Sequence, residues 1–260
     1  MKILSWNVNS IRVRKSQLLS VIKKENPDII CLQETKTIDD CFPKDILEER
    51  GYFVYINGIQ SYNGVAIISK IEANKISSHN FCDKNDARHI QASFKKFSIH
   101  SIYVPAGGDV PDTSENEKFD HKLRFLDEMA TFFKFNKNKI NIICGDLNVS
   151  PNEDDVWSHK QLQNIVSHTK IEREKLIKII NRGNFIDTTR MFISPPENVF
   201  TWWSYRSKDF KKNNRGRRLD HIWITDHQKV NSLNARIMIE TRSLPQPSDH
   251  VPISYEFNLG

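Results

Sequence analysis

The stretch GDLNVS, residues 145–150, follows the apolar run INIIC and ends it with two hydrogen-bonding side chains, Asp146 and Asn148. Gly, Asp and Asn are turn formers, so a plain turn is one reading. The other reading is chemistry. Residues two apart on an extended chain project to the same side, which would set a proton-handling acid beside a neutral donor. The pattern recurs along the chain: Asn7 follows ILSW, Glu34 follows IICLQ, Tyr103 closes SIHSIY, Asp220 lies in RLDHIW, and Asp249 and His250 precede VPISYEF. Each residue alone has an ordinary role as a cap, a solvated acid or a packing histidine. Repeated at the ends of apolar strands, they describe the loop edge of a rigid sheet, where sites are built.

The residue types fit one reaction. Carboxylates and amides without thiols suit a hard cation, and Mg²⁺ needs only one or two protein carboxylates because it keeps several waters. Glu34 is the candidate ligand. An Asp beside a His holds the imidazole in one tautomer and stabilises its charged form, a role for Asp220 with His250. A protonated His can then hydrogen-bond a phosphate oxygen as charge builds on it. Together they suggest hydrolysis of a phosphate ester by a metal-assisted water.

Positioning these groups requires strands that share an edge. Strand patterns cover residues 2–8, 28–33, 52–57, 64–70, two segments within 89–105 around Lys95 and Lys96, the run KINIICGDLN, and 218–225, 235–240 and 251–257. Helical spacing covers 14–25 (Leu18, Leu19, Ile22), 118–135 (Phe119, Leu123, Leu126, Ala130, Phe133) and roughly 171–182, with Leu176, Ile177 and Ile180 inward. Continuous and alternating apolar strands both occur. The expected fold is an α/β sandwich of two mixed sheets face to face with helices outside, in a single domain over residues 1–260. Residues 106–117 and 204–217 are the least regular and read as loops.

Composition narrows the class. The chain has 260 residues, 38% hydrophobic, with a formal net charge of +6. A basic balance favours anionic partners, nucleic acid foremost. No apolar run approaches the roughly 18 residues of a membrane span, so no membrane association is expected. MKILSWNV enters a strand pattern at once, so no cleavable leader is expected. The four cysteines form no CxxC pair, and Cys31 and Cys144 sit in apolar runs as small buried hydrophobes of a reducing compartment. The segment 206–218, RSKDFKKNNRGRR, reads as a solvated basic loop or, beside Trp202 and Trp203, as a DNA-facing one.

The motifs SWNVNSIR, LQETK, IYVPAGG, GDLNVSP, TWWSYR, NRGRRLDHIW and PSDHVP occur in that order from residue 2 to about 257. In them the chain resembles the exonuclease III family of apurinic/apyrimidinic endonucleases, within the endonuclease/exonuclease/phosphatase superfamily. GDxN and SDH are shared across the superfamily, including phosphoinositide and nucleotide phosphatases, the rival reading. QETK, TWWSYR and NRGRRLD narrow the match to the DNA-repair branch.

The resemblance implies a four-layer α/β sandwich. It also implies an Mg²⁺-dependent enzyme, with Mn²⁺ able to substitute, that cuts duplex DNA 5′ to abasic sites and trims blocked 3′ ends. A monomer in the bacterial cytoplasm, held to the nucleoid through DNA, is implied as well. It implies catalytic roles for Tyr103, Asp146, Asn148, Asp220 and His250, and a metal environment of Asn7, Glu34, Asp146, Asn148, Asp249 and His250. DNA contacts are implied for Arg12, Lys36, Trp202, Arg215, Arg217 and Leu219, with Trp202 and Leu219 as walls of a pocket for the baseless sugar. Three positions depart from familiar members. Arg217 stands where they carry an apolar residue, Ala106 where an amide is frequent, and Asn9 where some have an Asp. These changes are expected to shift the balance between abasic-site incision and 3′-end trimming.

Overall fold

Alternation along the strands decides the architecture. In the computed structural model, which describes residues 1–136, 139–207, 209–225 and 230–259, Ile3, Ile29, Cys31, Ile142 and Cys144 face one shared core. Leu4, Trp6, Ile30 and Leu32 face a second core under a helix, and Ile143 and Trp223 face a third under two others. Strands buried on both faces read as continuous apolar runs, and they must lie inside a layered stack.

The first half of the chain forms β1 (Lys2–Asn7), α1 (Ile11–Glu25), β2 (Ile29–Gln33), α2 (Asp45–Glu48), β3 (Phe53–Asn57), β4 (Val65–Ser69), β5 (Lys75–Ser77), β6 (His89–Ser93) and β7 (Phe97–Tyr103). The second half forms α3 (Glu117–Phe132), β8 (Ile140–Asp146), α4 (His159–Leu162), α5 (Lys170–Gly183), β9 (Phe185–Asp187), α6 (Thr188–Phe192), α7 (Phe210–Asn213), β10 (Asp220–Thr225), β11 (Val230–Ile237) and β12 (Ile253–Leu259). Among the described residues they make two six-stranded sheets, ordered β11-β12-β1-β2-β4-β3 and β5-β6-β7-β8-β10-β9. The sheets pack face to face. Helix α1 covers the outer face of the first, and α3 and α5 cover that of the second. This is the four-layer sandwich of mixed sheets.

The two sheets repeat one device. Each has a central parallel pair, β1 with β2 and β7 with β8, flanked by an antiparallel strand. Parallel strands end on the same edge, so Asn7 and Gln33 finish level, as do Tyr103 and Asp146. Strand β10 runs the other way and begins level with them, pairing Asp220 with Asp146. The pairing of β7 with β8 also explains the glycine of GDLN: a Cβ on Gly145 would sit 2.0 Å from the Ile102 carbonyl oxygen.

Three local expectations change. On α5 the inward stripe is Leu176 and Ile179, with Ile180 half-buried, while Ile177 is 44% exposed. Ile177 lies about 100° around the helix from Leu176, off that stripe. The segment 204–217 is not all loop. Asp209 caps the short helix α7 through the Lys212 amide, and Phe210 packs on Trp203 at 5.4 Å between ring centroids. Lys208 of the basic stretch lies outside the described residues. Strands β5 and β9, three residues each, carry too little pattern to be read from sequence.

Cys31 and Cys144 are free thiols buried in the shared core. Among the described residues no helix is long and apolar enough to cross a membrane.

Candidate active site

The strand ends meet at one edge of the stack, and Asn7 ties them together. Its Nδ2 donates to Glu34 Oε1 at 2.8 Å and to Asp146 Oδ2 at 2.9 Å, and its Oδ1 accepts from the Asn9 amide at 3.0 Å. Two carboxylate acceptors on one side and an N–H donor on the other fix the amide orientation. Asn7 therefore presents nitrogen, not oxygen, to the acids. Glu34 belongs to the first sheet and Asp146 to the second, so this one side chain spans the seam. Below it Gln33 Nε2 donates across the same seam to Ser101 Oγ at 3.1 Å.

Asp220 and His250 form a buried pair, with His250 Nδ1 donating to Asp220 Oδ2 at 2.8 Å. Thr201 Oγ1 donates to the same oxygen at 2.6 Å and takes the amides of Leu219 and Asp220. The far nitrogen of His250, Nε2, lies 3.6 Å from Asp146 Oδ2. Burial alone would lower the His250 pKa. Asp220 and then Asp146 outweigh it and hold the imidazole well above its ordinary value, as imidazolium. Burial pushes the Asp146 carboxyl upward, with Asp220 and Glu34 adding to the rise and His250 opposing it.

Asn148 reaches Asp146 by a route the sequence did not suggest. The strand stops at Asp146, and Asn148 sits in the left-handed region at φ 52. Asp146 Oδ1 accepts from the Asn148 backbone amide at 2.9 Å, and Asn148 Nδ2 reaches Asp146 Oδ2 at 3.2 Å and the Val104 carbonyl at 2.8 Å. The turn and the acid–amide pair are therefore the same object. Asn9, Ser10, Glu34 and Lys36 also have positive φ. For Ser10, Glu34 and Lys36 this costs about 1 kcal/mol or more each, while Asn adopts the left-handed region more readily.

Glu34 is stabilised as a carboxylate. Burial opposes this, but Lys36 Nζ at 2.8 Å from Oε2 and the Asn7 donor lower its pKa. Lys36 also donates to Asn9 Oδ1 at 2.6 Å. Tyr103 faces Glu34 and Asp146; burial first, then those two charges, push its phenol up and keep it a donor. Asp249 spends both oxygens on the rim, accepting from Asn9 Nδ2 and Trp202 Nε1 at 2.9 Å each.

A single ligand atom from each of Glu34, Asp146 and His250 lies within 4.8 Å of the others. The donor set fits a hard divalent cation: two carboxylates face one point, and the imidazole is already committed to Asp220. Glu34 and Asp146 would hold the ion. Asn7, Asn148 and Asp249 border that point.

One cleft of about 280 Å³ is lined by Glu34, Tyr103, Asp146 and His250 together with Ser167, Trp202, Arg217 and Leu219. Trp203 is core at 2% exposed, whereas Trp202 is partly open, as opposite-facing neighbours on an extended segment must be. Arg12 is exposed on α1 outside the lining, and Arg215 lies outside it too, over the Trp157 ring at 4.7 Å.

Three supporting residues went unread in the sequence. Thr201 and Ser248 sit inside recognised motifs, and Ser248 Oγ donates to the Asn7 carbonyl at 2.8 Å. Lys122 gave no signal, because a helix lysine reads as solvated. It is fully buried, pairs with buried Glu172, and donates to the Asn148 carbonyl at 2.8 Å.

The Endonuclease/Exonuclease/phosphatase family profile matches residues 4–250. Exodeoxyribonuclease III of Haemophilus influenzae is 31% identical over 99% of this chain and 100% of its own length. Among solved structures, an AP endonuclease from Archaeoglobus fulgidus superimposes with a TM-score of 0.91 at 31% identity over all of both chains. A 3′ phosphatase from Neisseria, bound to a product DNA hairpin, does so at 0.92 and 28% identity over 99% of both.

Proposed function

Since the chain belongs to the Endonuclease/Exonuclease/phosphatase family, we propose that it is a DNA-repair phosphodiesterase that uses Mg²⁺, with Mn²⁺ as a substitute. It cuts duplex DNA 5′ to abasic sites, leaves a 3′-hydroxyl, and trims blocked 3′ ends. The observation that carries this reading is the Asn7-bridged cluster of Glu34, Asp146 and His250 in a cleft also lined by Trp202 and Arg217. It acts as a monomer, in a compartment where DNA is present.

The division of labour follows from the geometry. Glu34 and Asp146 would hold Mg²⁺, which when bound would supply positive charge beside a phosphoryl oxygen and the attacking water. Imidazolium His250, locked by Asp220, donates Nε2–H to a second phosphate oxygen as charge builds there. Asp146, beside His250 and Asn148, suits both removal of the water proton and delivery of a proton to the departing 3′ oxygen. Tyr103 donates its phenol hydrogen from the other side. Asn7 and Asn148 orient Asp146 and Glu34. Trp202 and Leu219 wall the space for the sugar, whose extrusion is cheapest where no base is paired. Arg12, Lys36, Arg215 and Arg217 contact phosphates and give binding a steep salt dependence.

The test is incubation with a duplex carrying one abasic analogue across Mg²⁺ concentrations, with product ends mapped. Mg²⁺-dependent incision 5′ to the lesion supports the reading. Release of phosphate from small esters without incision supports a small-molecule phosphoesterase instead, and tight binding without cutting supports a DNA-binding module.

A further inference from the structure

Arg217 and Arg218 are neighbours with opposite surroundings. Arg218 is fully buried between Asp155 and Asp187, so its charge is spent inside the protein. Arg217 has no ion-pair partner among the described residues. Its Nη1 donates to two neutral acceptors, the Val166 carbonyl at 3.0 Å and Ser167 Oγ at 2.7 Å. Its Cζ lies 5.5 Å from the centre of the Trp202 ring, and its Nε is buried without a partner. Nη2 makes no hydrogen bond among the described residues. The guanidinium is thus pinned in place without a direct ion pair, with Glu172 the carboxylate whose charge reaches it, in the same cleft as Asp146, Asn148 and His250. Arginine stays protonated in such a setting.

The two proposed substrate types place different groups there. An internal phosphodiester carries one negative charge, and its next sugar continues into the cleft. A terminal 3′-phosphate has an anionic oxygen in place of that sugar, and its charge is about −1.5 to −2 at neutral pH. An apolar wall suits the sugar, whereas a fixed guanidinium with Nη2 left to donate suits the extra phosphate oxygen.

We propose that Arg217 is a specificity-determining residue that biases this site toward DNA 3′ ends carrying a phosphate over internal abasic sites. The proposal rests on the phosphoesterase reading above. In the favoured reaction the water oxygen bonds to phosphorus and the P–O3′ bond breaks. Its electron pair stays on O3′, which takes a proton, leaving a 3′-hydroxyl and inorganic phosphate.

The experiment compares the wild type with R217L and R217K on two hairpin duplexes, one ending in a 3′-phosphate and one carrying an internal abasic analogue. Removal of a charge-assisted contact made in the transition state corresponds to roughly a 10- to 100-fold change in rate. The ratio of kcat/KM for the 3′-phosphate to that for the abasic duplex should fall by that factor in R217L and by less in R217K, which keeps the charge but not the fixed Nη2 donor. Competitive inhibition by inorganic phosphate should weaken roughly tenfold in R217L, a readout independent of turnover. Equal losses on both duplexes, or no change in the ratio, overturn the proposal. A wild type that incises the abasic duplex but leaves the 3′-phosphate intact also overturns it, while the nuclease reading stands. Failure on both duplexes removes that reading itself. Thermal unfolding of each variant separates these outcomes from misfolding.

Discussion

His250 Nδ1 donates to Asp220 Oδ2 at 2.8 Å, and nothing else charged touches that nitrogen. The pair is buried, and Thr201 Oγ1 donates to the same carboxylate oxygen at 2.6 Å. This contact decides whether the second imidazole nitrogen, which faces Asp146, carries a hydrogen.

Replacing the carboxylate should therefore disarm the histidine without emptying the cleft. Asp220→Asn is expected to lower kcat by about 10²–10³, the usual loss for one oxyanion-stabilising donor, with little change in DNA affinity. Steady-state kinetics and DNA titration measure the two effects. Near wild-type turnover would remove the role assigned to the pair. NMR titration should show the His250 pKa falling in the variant, because its largest favourable interaction is gone.

Glu34→Gln should act on the ion. Its carboxylate is held ionised by Lys36 and Asn7. The Mg²⁺ concentration giving half-maximal incision should rise about tenfold or more, with partial recovery at high Mg²⁺. Calorimetric Mg²⁺ titration should show the same weakening without DNA. Chelation should stop cutting while DNA binding persists.

Acid should weaken the fold through buried neutral histidines. Burial lowers the pKa of His100 to about 3 and that of His221 to about 4. Their unfolded values lie near 6.5, so below that pH the unfolded chain takes up protons that the native state refuses. Stability is fully present above about pH 6.5 and falls as pH drops toward the folded values. Each group removes on the order of 1–2 kcal/mol by pH 5. Melting temperature against pH measures this, and His100→Asn should flatten the slope if the variant folds.

The Lys122–Glu172 pair should behave as a buried ion pair that cannot lose one member. Glu172 also closes the capping box of α5 with Thr169. Lys122→Met is expected to cost roughly 3–5 kcal/mol, because an uncompensated carboxylate remains. A chain of this size then melts about 6–20 °C lower. The double variant Lys122→Met, Glu172→Leu should lose less than the two single losses added together. Both should lower kcat, since Lys122 fixes the Asn148 carbonyl.

What the sequence revealed divides by physical cause. Strand ends bearing Asn7, Glu34, Tyr103 and Asp146 were legible because apolar runs stop abruptly at them, and the parallel pairing of β1 with β2 and β7 with β8 then brings the ends level. The geometry of Asn148 was not legible. An extended spacing argument supplied the right neighbour through the wrong backbone, because a left-handed residue depends on the Asp146 side chain that stabilises it. Lys122 and Thr201 were invisible for another reason. Their roles come from tertiary contacts with Asn148 and Asp220, which local pattern does not encode.

Because Asn7 joins an acid from one sheet to an acid from the other, hydrolytic competence is a property of the closed stack alone. A half-assembled chain could bury one sheet under its helix and still hold only half of the cluster. The imidazole arrives last along the chain, 243 positions after Asn7. Any opening of that seam parts Glu34 from Asp146 and dismantles the cluster.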